Sequence, residues 1–427
     1  MGGPGRQIML GPMREDTRRW IEADKRHAWH PFTPQGPWTA DDHEPLVIVR
    51  GEGPWIWDSE GRRYLDGNSS IWTNIHGHAH PAINRAIVEQ LGQIAHSSFL
   101  GFANPRASEL ASRLTGLFPP GTLERVFFSD DGSTAIEVAM KMSLQYRMQT
   151  GEPERTRFVA FADGYHGDTM GAAALGGVSR FFERFRRFGP DVGFVRSLAG
   201  LDQFAASEIN AVVIEPLIQG VNEMRPWPAG MLAELRDWCD CHGVLLILDE
   251  VMTGFGRTGT MFACQREDVI PDFLCLAKGL GGGYLPIAAT LTTAPVYDAF
   301  LGDPVNAFYY GHSFTANPLA CAAALASLDL FLTERTLEEL PAKVEHLAKL
   351  LEELASCEGV VDVRQCGLVA GIELRAGLGS PVCLRARDHG LLTRPIRDTV
   401  VLMPPLCVER EDLDLAIDAL KAALAGV

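Results

Sequence analysis

Helical sequence alternates with short apolar runs from about residue 80 to residue 300, and this alternation constrains the fold more than any other feature. The runs lie at residues 126–128, 158–161, 211–214, 244–248, 273–276 and 287–291. Strands separated by helices build a mostly parallel sheet with helices on both faces. Because ligands of such sheets bind at the carboxyl ends of the strands, we predict an α/β fold with its functional site at that edge.

The chain has 427 residues, which is enough for two domains. We expect residues 61–317 to form a large domain around the predicted sheet. Residues 318–427 begin with a long helical stretch and continue with shorter strand and helix patterns, which predicts a smaller α+β domain. The N-terminal segment, residues 1–60, has one helical pattern and two short strand patterns, and we expect it to join the small domain.

Charge and composition disfavour several kinds of partner. The formal net charge is -16, whereas nucleic acid and anionic membrane surfaces attract basic patches. No apolar stretch approaches the roughly 18–20 residues that span a bilayer, and the first ten residues lack the apolar segment of a signal peptide. Several of the nine cysteines lie in apolar runs, which suits reduced thiols. We therefore expect a cytoplasmic protein that acts on small molecules.

Two of the apolar runs end at side chains with complementary chemistry. Lys278 follows the run 273–276, and Asp249 follows the run 244–248. A lysine at a strand end can condense with an aldehyde cofactor. A carboxylate at a neighbouring strand end can keep a pyridine nitrogen protonated, which makes the ring an electron sink. Together the two residues predict a site for pyridoxal 5'-phosphate.

The segment 129–134 has the features of a phosphate anchor. It lies between the run 126–128 and a helical stretch, and it contains Gly132 and Ser133. A helix N-terminus offers free backbone N–H groups and the positive end of the helix dipole to an anion. Ser133 could instead be an ordinary N-cap. Beside a lysine and an aspartate with cofactor chemistry, the phosphate interpretation is favoured.

Further polar and aromatic residues are candidates for ring and substrate contacts. Tyr165 could stack on a pyridine ring, and Asp168 could accept a hydrogen bond from a substrate amine. Arg394 is a natural receptor for a carboxylate through a bidentate, charge-assisted pair. Arg257 could act in the same way or be structural. Glu215 could orient groups near the cofactor or be a structural carboxylate.

Two short motifs could suggest a metal site. His76 and His78 flank a single glycine, and Cys239, Cys241 and His242 lie close together. The first motif lacks an acidic neighbour, and the second lacks another ligand pair of the kind that zinc sites show. We expect no bound metal.

Taken together, these motifs resemble the class III aminotransferases, which have the type I fold of pyridoxal-phosphate-dependent transferases. The resemblance extends from about Trp29 to Leu406. It is carried by residues 130–133, 137–142, 164–169, 214–216, 248–250, 254–259, 277–279 and 311–318. It implies a large domain with a mostly parallel sheet, a smaller α+β domain, aminotransferase activity, and a homodimer that shares its active sites.

The resemblance also implies roles for individual residues. Lys278 would be the catalytic residue. Cofactor contacts would come from Gly132, Ser133, Tyr165, Asp249 and Lys278 and, from a second subunit, His312 and Ser313. Substrate contacts would come from Phe32, Ile71, Trp72, Tyr165, Asp168, Gly311 and Arg394.

Within the class, the chain is most similar to the branch that aminates 8-amino-7-oxononanoate in biotin synthesis. That similarity is carried by residues 29–32, 66–72, 75–78, 166–169, 393–395 and 402–405. Members of the branch use S-adenosylmethionine or lysine as the amino donor. Phe32, Ile71 and the pair His312-Ser313 match the members thought to use lysine, so both donors stay open. The alternatives are a broader ω-amino acid or diamine:pyruvate aminotransferase and a non-catalytic protein that binds pyridoxal phosphate.

Overall fold

The computed structural model describes residues 13–427. Within this range the helical segments are α1 (Glu15–His27), α2 (Gln35–Thr39), α3 (Ser69–Trp72), α4 (Pro81–Leu91), α5 (Pro105–Thr115), α6 (Gly132–Gln149), α7 (Met170–Leu175), α8 (Ser179–Phe182), α9 (Met231–His242), α10 (Ala294–Asp298), α11 (Pro318–Thr333), α12 (Thr336–Ala355), α13 (Gly379–Asp388) and α14 (Arg410–Leu424). The strands are β1 (Ile48–Glu52), β2 (Trp55–Asp58), β3 (Arg63–Asp66), β4 (Leu123–Ser129), β5 (Arg157–Phe161), β6 (Val192–Val195), β7 (Ile209–Ile214), β8 (Ile218–Gln219), β9 (Arg225–Pro226), β10 (Leu245–Asp249), β11 (Phe273–Leu276), β12 (Ala288–Thr293), β13 (Val360–Cys366), β14 (Val369–Leu374), β15 (Leu391–Leu392), β16 (Pro395–Ile396) and β17 (Thr399–Leu402).

A seven-stranded sheet in the order β4-β12-β11-β10-β7-β5-β6 forms the centre of the fold. Strand β12 is antiparallel to both of its neighbours, and the other pairs are parallel. Strands β7, β10 and β11 are buried along their whole length, as expected for a sheet covered on both faces. The predicted mostly parallel α/β sheet is confirmed.

The direction of the strands brings six strand ends to one edge of this sheet. Because β12 is antiparallel to both β11 and β4, strand β4 points the same way as the five other parallel strands. The carboxyl ends that meet at this edge are Ser129, Phe161, Val195, Ile214, Asp249 and Leu276. Helix α6 begins three residues after β4, and Lys278 lies two residues after β11. The predicted cofactor residues therefore converge at the predicted edge.

A four-stranded antiparallel sheet, β13-β14-β17-β16, lies in the C-terminal part of the chain. Helix α12 contacts both β13 and α14. A separate sheet joins the N-terminal strands β1, β2 and β3 to β15, which pairs with β3 in parallel. The N-terminal strands thus contact C-terminal sequence, whereas α11 contacts α4 and α5. The division at residues 60 and 317 stays a prediction.

The helical stretch predicted from residue 318 onward is two helices. Helix α11 ends at Thr333, and α12 begins at Thr336 after Arg335, whose φ of 51° lies in the left-handed region.

Among residues 13–427 no helix combines the length and the apolar character needed to cross a membrane. All nine cysteines have free thiols.

Candidate active site

A cavity of about 430 Å³ lies at the carboxyl edge of the central sheet. Six of the predicted site residues line it, namely Trp72, Gly132, Ser133, Tyr165, Asp249 and Lys278. They come from loops that follow different strands, so their proximity depends on the sheet. The structure therefore brings together, around one space, the cofactor residues that were predicted to come from a single subunit.

Lys278 begins a short 3₁₀ turn, Lys278–Gly281, directly after β11. Its φ of 35° is positive, which is uncommon for a residue with a side chain and is typical of functional sites. The side-chain Nζ lies 4.9 Å from the centre of the Trp72 ring. Burial lowers the pKa of Lys278, while Asp249 and Glu215 oppose that shift. A lower pKa increases the fraction of neutral amine, which is the nucleophilic form.

Asp249 is held by a buried histidine. The Asp249 Oδ2 atom lies 2.7 Å from His166 Nδ1, and its Oδ1 atom accepts a hydrogen bond from the Val251 amide at 3.1 Å. Burial alone would lower the pKa of His166, but the hydrogen bond and charge of Asp249 outweigh burial and raise it. Sequence reasoning assigned no role to His166. The available signal was its place in the loop after β5, next to the aromatic candidate Tyr165.

Glu215 is a second buried carboxylate below the cavity. Its Oε1 atom accepts a hydrogen bond from the Gly220 amide at 3.0 Å, and its Oε2 atom accepts one from the Tyr165 amide at 3.1 Å. Burial raises the pKa of Glu215 to about 7, with a smaller opposing contribution from His166. The two bonds fix the loops after β7 and β5 to each other, so Glu215 has a structural role. Its side chain also lines the cavity.

The N-terminus of α6 is capped by Asp131. Asp131 Oδ1 accepts a hydrogen bond from the Thr134 amide at 2.9 Å, and Thr134 Oγ1 accepts one from the Asp131 amide at 3.0 Å. The alternative that Ser133 is the N-cap is therefore wrong. Ser133 Oγ instead accepts a hydrogen bond from the Asp168 amide at 3.1 Å. Its hydroxyl hydrogen stays available for an anion at the helix terminus.

Two glycines are required for this corner of the cavity. A Cβ atom at Gly132 would lie 2.6 Å from Val251 Cγ1, and one at Gly167 would lie 2.3 Å from Ser133 Oγ. Gly167 also has a φ of 120°. Side chains at these positions would clash with the neighbouring loops. The close approach of the loops after β4, β5 and β10 therefore depends on glycine.

Tyr165 is connected to Asp168 and to an aromatic group. Burial and the hydrogen bond to Asp168 raise the pKa of Tyr165 well above its usual value.

Phe32 does not line the cavity, although the resemblance assigned it to the substrate site. Its ring meets Phe181 edge to face at 5.4 Å, and Phe182 lies 5.8 Å from Tyr165. Phe32 is therefore connected to the cavity only indirectly, through neighbouring aromatic rings.

Ile71 and Trp72 lie in a turn, α3, with a left-handed backbone. The φ angles of Ser69, Ser70, Ile71 and Trp72 are 46°, 48°, 66° and 68°. Each left-handed residue with a side chain costs about 1–2 kcal/mol, so neighbouring contacts must compensate for several kcal/mol. The turn directs Trp72 into the cavity and leaves Ile71 half exposed.

Buried polar side chains stabilise this turn. Asp66 accepts hydrogen bonds from the Ser70 amide at 3.0 Å and from the Ser70 hydroxyl at 2.8 Å. The His78 ring lies 2.9 Å from the same carboxylate, and the Trp72 indole donates to Asn68 Oδ1 at 2.8 Å. The histidine that suggested a metal motif thus serves as a partner of Asp66.

A second cavity of about 430 Å³ is lined by Ile71 and Arg394. It contacts the same left-handed turn as the first cavity, because Trp72 lines one and Ile71 lines the other. Among the described residues the Arg394 guanidinium has no ion pair and no side-chain hydrogen bond. Burial lowers the pKa of Arg394. The Arg394 side chain is exposed at the cavity, and an arginine with free donors suits a carboxylate.

Arg257 is structural. Its guanidinium is fully buried and donates to the carbonyl oxygens of Pro404 at 2.5 Å and Asn74 at 2.6 Å. Burial lowers the pKa of Arg257 to about 9. These bonds connect the loop after β10 to two distant segments of the chain, so the substrate-binding alternative loses its support.

Gly311, His312 and Ser313 do not line the cavity of their own chain. His312 Nδ1 lies 2.9 Å from Asp130 Oδ2, and its Nε2 lies 3.1 Å from the Tyr310 hydroxyl. The resemblance assigned His312 and Ser313 to the cofactor site of a second subunit. That assignment stays a prediction.

The first cavity fits pyridoxal phosphate. A lysine amine and a buried carboxylate line the same space, and α6 presents its N-terminus there beside a glycine that leaves room for an anion. The lysine suits an aldehyde, the carboxylate suits a pyridine nitrogen, and the helix terminus suits a phosphate.

The family follows from a comparison with known proteins. The family described as aminotransferase class-III matches residues 38–424. This protein therefore belongs to the class-III aminotransferases, and it is a pyridoxal-phosphate-dependent aminotransferase. The predicted family and cofactor are confirmed.

Comparison with individual relatives gives more specific information than the family match. The chain is 45% identical to the adenosylmethionine-8-amino-7-oxononanoate aminotransferase of Geobacter sulfurreducens, over 96% of this chain and 98% of that protein. The crystal structure of the enzyme of the same name from Methanocaldococcus jannaschii has a TM-score of 0.93 and 37% identity, covering 96% of this chain and 100% of that chain. An amine transaminase from an uncultivated Pseudomonas species, solved in a PLP-bound form, has a TM-score of 0.86 and 35% identity, covering 93% and 98%. The resemblance to the branch that acts on 8-amino-7-oxononanoate is confirmed.

Proposed function

We propose that this enzyme transfers an amino group to 8-amino-7-oxononanoate and forms 7,8-diaminononanoate in biotin synthesis. One observation carries the proposal: Lys278 lines one cavity, Arg394, which has no ion pair within residues 13–427, lines another, and a single turn contacts both. This arrangement suits an acceptor with an oxo group near one end and a carboxylate at the other. The names of relatives with 36–45% identity support the same acceptor.

The residues of the first cavity have separate tasks in this proposal. Gly132 and Ser133 hold the phosphate at the N-terminus of α6, Tyr165 covers one face of the ring, and Asp249 pairs with the pyridine nitrogen. When bound, pyridoxal phosphate withdraws the electrons that remain after a C–H bond next to nitrogen is broken. Lys278 carries the cofactor at rest and, as a free amine, moves the proton between the two carbon atoms that exchange it.

The acceptor is positioned by residues on both sides of the left-handed turn. Arg394 binds the carboxylate by a charge-assisted pair. Asp168 lies beside Tyr165 and accepts a hydrogen bond from the amine that the acceptor already carries. Trp72 and Ile71 line the path between the two ends, where an apolar chain makes favourable contacts.

The amino donor is S-adenosylmethionine or lysine. The names of the relatives support the first donor. Phe32 and Ile71 provide no hydroxyl or indole N–H for an adenosyl group, which favours the second. S-adenosylmethionine and lysine differ in size and charge. Measuring product formation with each donor separately distinguishes them.

We also propose a cytoplasmic homodimer in which His312 and Ser313 contribute to the partner's phosphate site. The described surface has large apolar side chains at Leu100, Phe102 and Tyr309, which are 88%, 71% and 85% exposed. Such residues mark protein interfaces when they cluster. The net charge of -16 supports small molecules, rather than nucleic acid or an anionic membrane, as the other partners.

The test is product formation with each donor supplied separately. The holoenzyme and 8-amino-7-oxononanoate are incubated with S-adenosylmethionine or with lysine, and 7,8-diaminononanoate is measured by mass spectrometry. Lys278→Ala should form no product over many turnovers, whereas the surface variant Lys349→Ala should match the unaltered enzyme. An enzyme that aminates pyruvate from ω-amino acids or diamines but never aminates 8-amino-7-oxononanoate would overturn the proposal in favour of the broader aminotransferase.

A further inference from the structure

We propose that an exposed arginine-rich segment, residues 179–188, attracts pyridoxal phosphate to the first cavity and speeds its uptake by the cofactor-free enzyme. The segment contains none of the cofactor contacts described above, so its effect is on the rate of encounter. The inference rests on the proposed substrates only where it selects the cofactor as the ligand that is attracted.

The charge of this segment is opposite to that of the whole chain. Its ten residues include four arginines and one acidic residue, a net charge of +3, whereas the chain has a formal net charge of -16. The charged residues are Arg180, Glu183, Arg184, Arg186 and Arg187. An acidic protein repels anions at long range, and a local cationic surface reverses the potential near it.

The four arginines keep their charge. All four are exposed, and within residues 13–427 none of them forms an ion pair with a carboxylate. The aspartates on either side of the segment pair with other arginines. Asp163 lies 3.0 Å from Arg196. Asp191 lies 2.8 Å from Arg157. The positive charge of the segment is therefore available to ligands in solution.

Aromatic rings hold two of these arginines in place. The guanidinium carbon of Arg186 lies 4.7 Å from the centre of the Phe194 ring, and that of Arg187 lies 4.6 Å from the centre of the Phe188 ring. A cation–π contact orients a guanidinium group through the ring quadrupole. Because the ring has no net charge, the contact leaves the charge of the arginine in place.

The arginine-rich segment lies next to the first cavity. The buried ring of Phe182 lies 5.8 Å from the ring of Tyr165, which lines that cavity. The 3₁₀ turn Arg186–Phe188 contacts α7. A Cβ atom at Gly189 would lie 2.4 Å from Ala174 Cβ, so the chain leaves the segment in close contact with the same helix. The segment is thus packed against the loop and the helix that follow β5.

Among the ligands of the enzyme, the cofactor is the one that a cationic surface attracts. Its phosphate group carries about 1.5–2 negative charges at neutral pH. The proposed acceptor has one carboxylate and one amine, whose charges cancel, and both proposed donors have a net positive charge. Electrostatic attraction raises association rates by about 10–1000-fold and weakens steeply with salt.

An anionic membrane is the other partner that exposed arginine and phenylalanine side chains suit. Phe185 and Phe188 are 52% and 60% exposed. The segment nevertheless forms only two short turns, Ser179–Phe182 and Arg186–Phe188, rather than an amphipathic helix. The net charge of -16 also opposes the approach of an anionic surface. These observations favour the cofactor.

The experiment compares two variants of the full chain that lose the same charge. The test variant carries Arg184→Gln, Arg186→Gln and Arg187→Gln. The control variant carries Arg375→Gln, Arg385→Gln and Arg410→Gln, at exposed positions in the C-terminal part of the chain. Since all six side chains are exposed, we expect both variants to fold.

The measured quantity is the second-order rate constant of cofactor association. Each cofactor-free protein is mixed with pyridoxal phosphate in a stopped-flow spectrometer, and the absorbance of the bound cofactor is followed. Pyridoxal, which lacks the phosphate group, is the matched ligand control. The salt concentrations are about 0.01 M and 1 M, where charges are screened over about 30 Å and 3 Å.

At low salt, pyridoxal phosphate should associate with the test variant roughly tenfold more slowly than with the unaltered enzyme or the control variant. The difference should disappear at high salt. The association rate of pyridoxal, the dissociation rate of pyridoxal phosphate and kcat of the loaded enzyme should be the same in all three proteins. Equal association rates of pyridoxal phosphate at low salt would overturn the inference, as would an equal loss in the control variant or with pyridoxal.

Two further measurements separate this inference from other roles of the segment. A fall in kcat/KM for the acceptor at low salt, with unchanged cofactor association, would assign the segment to the substrate and overturn the inference. Binding to phosphatidylserine vesicles that is lost in the test variant, with unchanged cofactor association, would assign it to a membrane and overturn the inference as well. An enzyme that does not aminate 8-amino-7-oxononanoate but shows the expected association rates would contradict the proposed function alone.

Discussion

The Tyr165 hydroxyl donates a hydrogen bond to Asp168 Oδ2 at 2.6 Å. The Asp168 amide in turn donates to Ser133 Oγ at 3.1 Å. The residues proposed to cover the ring, to bind the substrate amine and to hold the phosphate therefore form one connected unit. A change in the Asp168 side chain leaves its backbone bond to Ser133 in place, so the substrate and cofactor contributions can be separated.

Asp168→Asn should weaken acceptor binding more than cofactor binding. The variant loses the negative charge that we propose faces the substrate amine, and a hydrogen bond to a charged group contributes about 1.5–3 kcal/mol. We expect KM for 8-amino-7-oxononanoate to rise by roughly 10–100-fold, with an almost unchanged pyridoxal phosphate dissociation constant. Asp163→Asn, at a surface pair with Arg196, is the control. An unchanged KM in Asp168→Asn would remove Asp168 from the substrate site.

Arg394→Ala should affect only acceptors that carry a carboxylate. Loss of the charge-assisted pair should raise KM for 8-amino-7-oxononanoate by roughly 10–100-fold. The rate with an analogue that lacks the carboxylate should change little. Arg397→Ala is the matched control, because Arg397 lies three residues further along the chain and pairs with Glu223 instead. Equal losses with both acceptors would show that Arg394 does not recognise the carboxylate.

Arg257→Met should destabilise the fold rather than change substrate specificity. The substitution leaves the carbonyl groups of Asn74 and Pro404 without their donors, which costs about 3 kcal/mol or more in the free energy of unfolding. Arg113→Ala removes a surface pair with Asp329 and should cost less than about 1 kcal/mol. Denaturant unfolding measures both values. Equal stability of the two variants would contradict the structural role.

Glu215 should make the stability of the cofactor-free protein depend on pH. Burial raises the pKa of Glu215 from 4.5 to about 7, so between these values the folded protein binds more protons than the unfolded chain. The free energy of unfolding should therefore fall as pH rises through this window, by about 3 kcal/mol in total. Denaturant unfolding at a series of pH values should show a flatter profile for Glu215→Gln. Glu89→Gln, on an exposed helix face, should retain the slope, and parallel profiles for all three proteins would contradict this pKa.

The residues that sequence reasoning placed best are those at the ends of strands. Asp249 is the last residue of β10, and Lys278 lies two residues after the neighbouring parallel strand β11. The geometry of such a sheet brings both residues to one edge, independently of the conformation of the loops. The apolar runs were sufficient to predict this. Strand β6, residues 192–195, was not predicted because it is short and contains a glycine, which weakens the strand pattern.

Other features depend on contacts between segments far apart in the chain. His166 lies behind Asp249 only because β5 and β10 both flank β7. The left-handed turn at Ile71 opposes local backbone preferences and is stabilised by Asp66, whose own position depends on the sheet that contains β3. No local pattern of residues encodes such contacts.

The most direct measurement follows the acceptor half of the reaction by absorbance. The enzyme is loaded with pyridoxamine phosphate and mixed with 8-amino-7-oxononanoate in a stopped-flow spectrometer. We predict that the absorbance of the pyridoxal phosphate form returns in the unaltered enzyme and does not return at a comparable rate in Lys278→Ala. If 8-amino-7-oxononanoate fails to restore that absorbance while pyruvate restores it, the proposed acceptor is wrong. If Lys278→Ala restores it as fast as the unaltered enzyme, the proposed role of Lys278 is wrong.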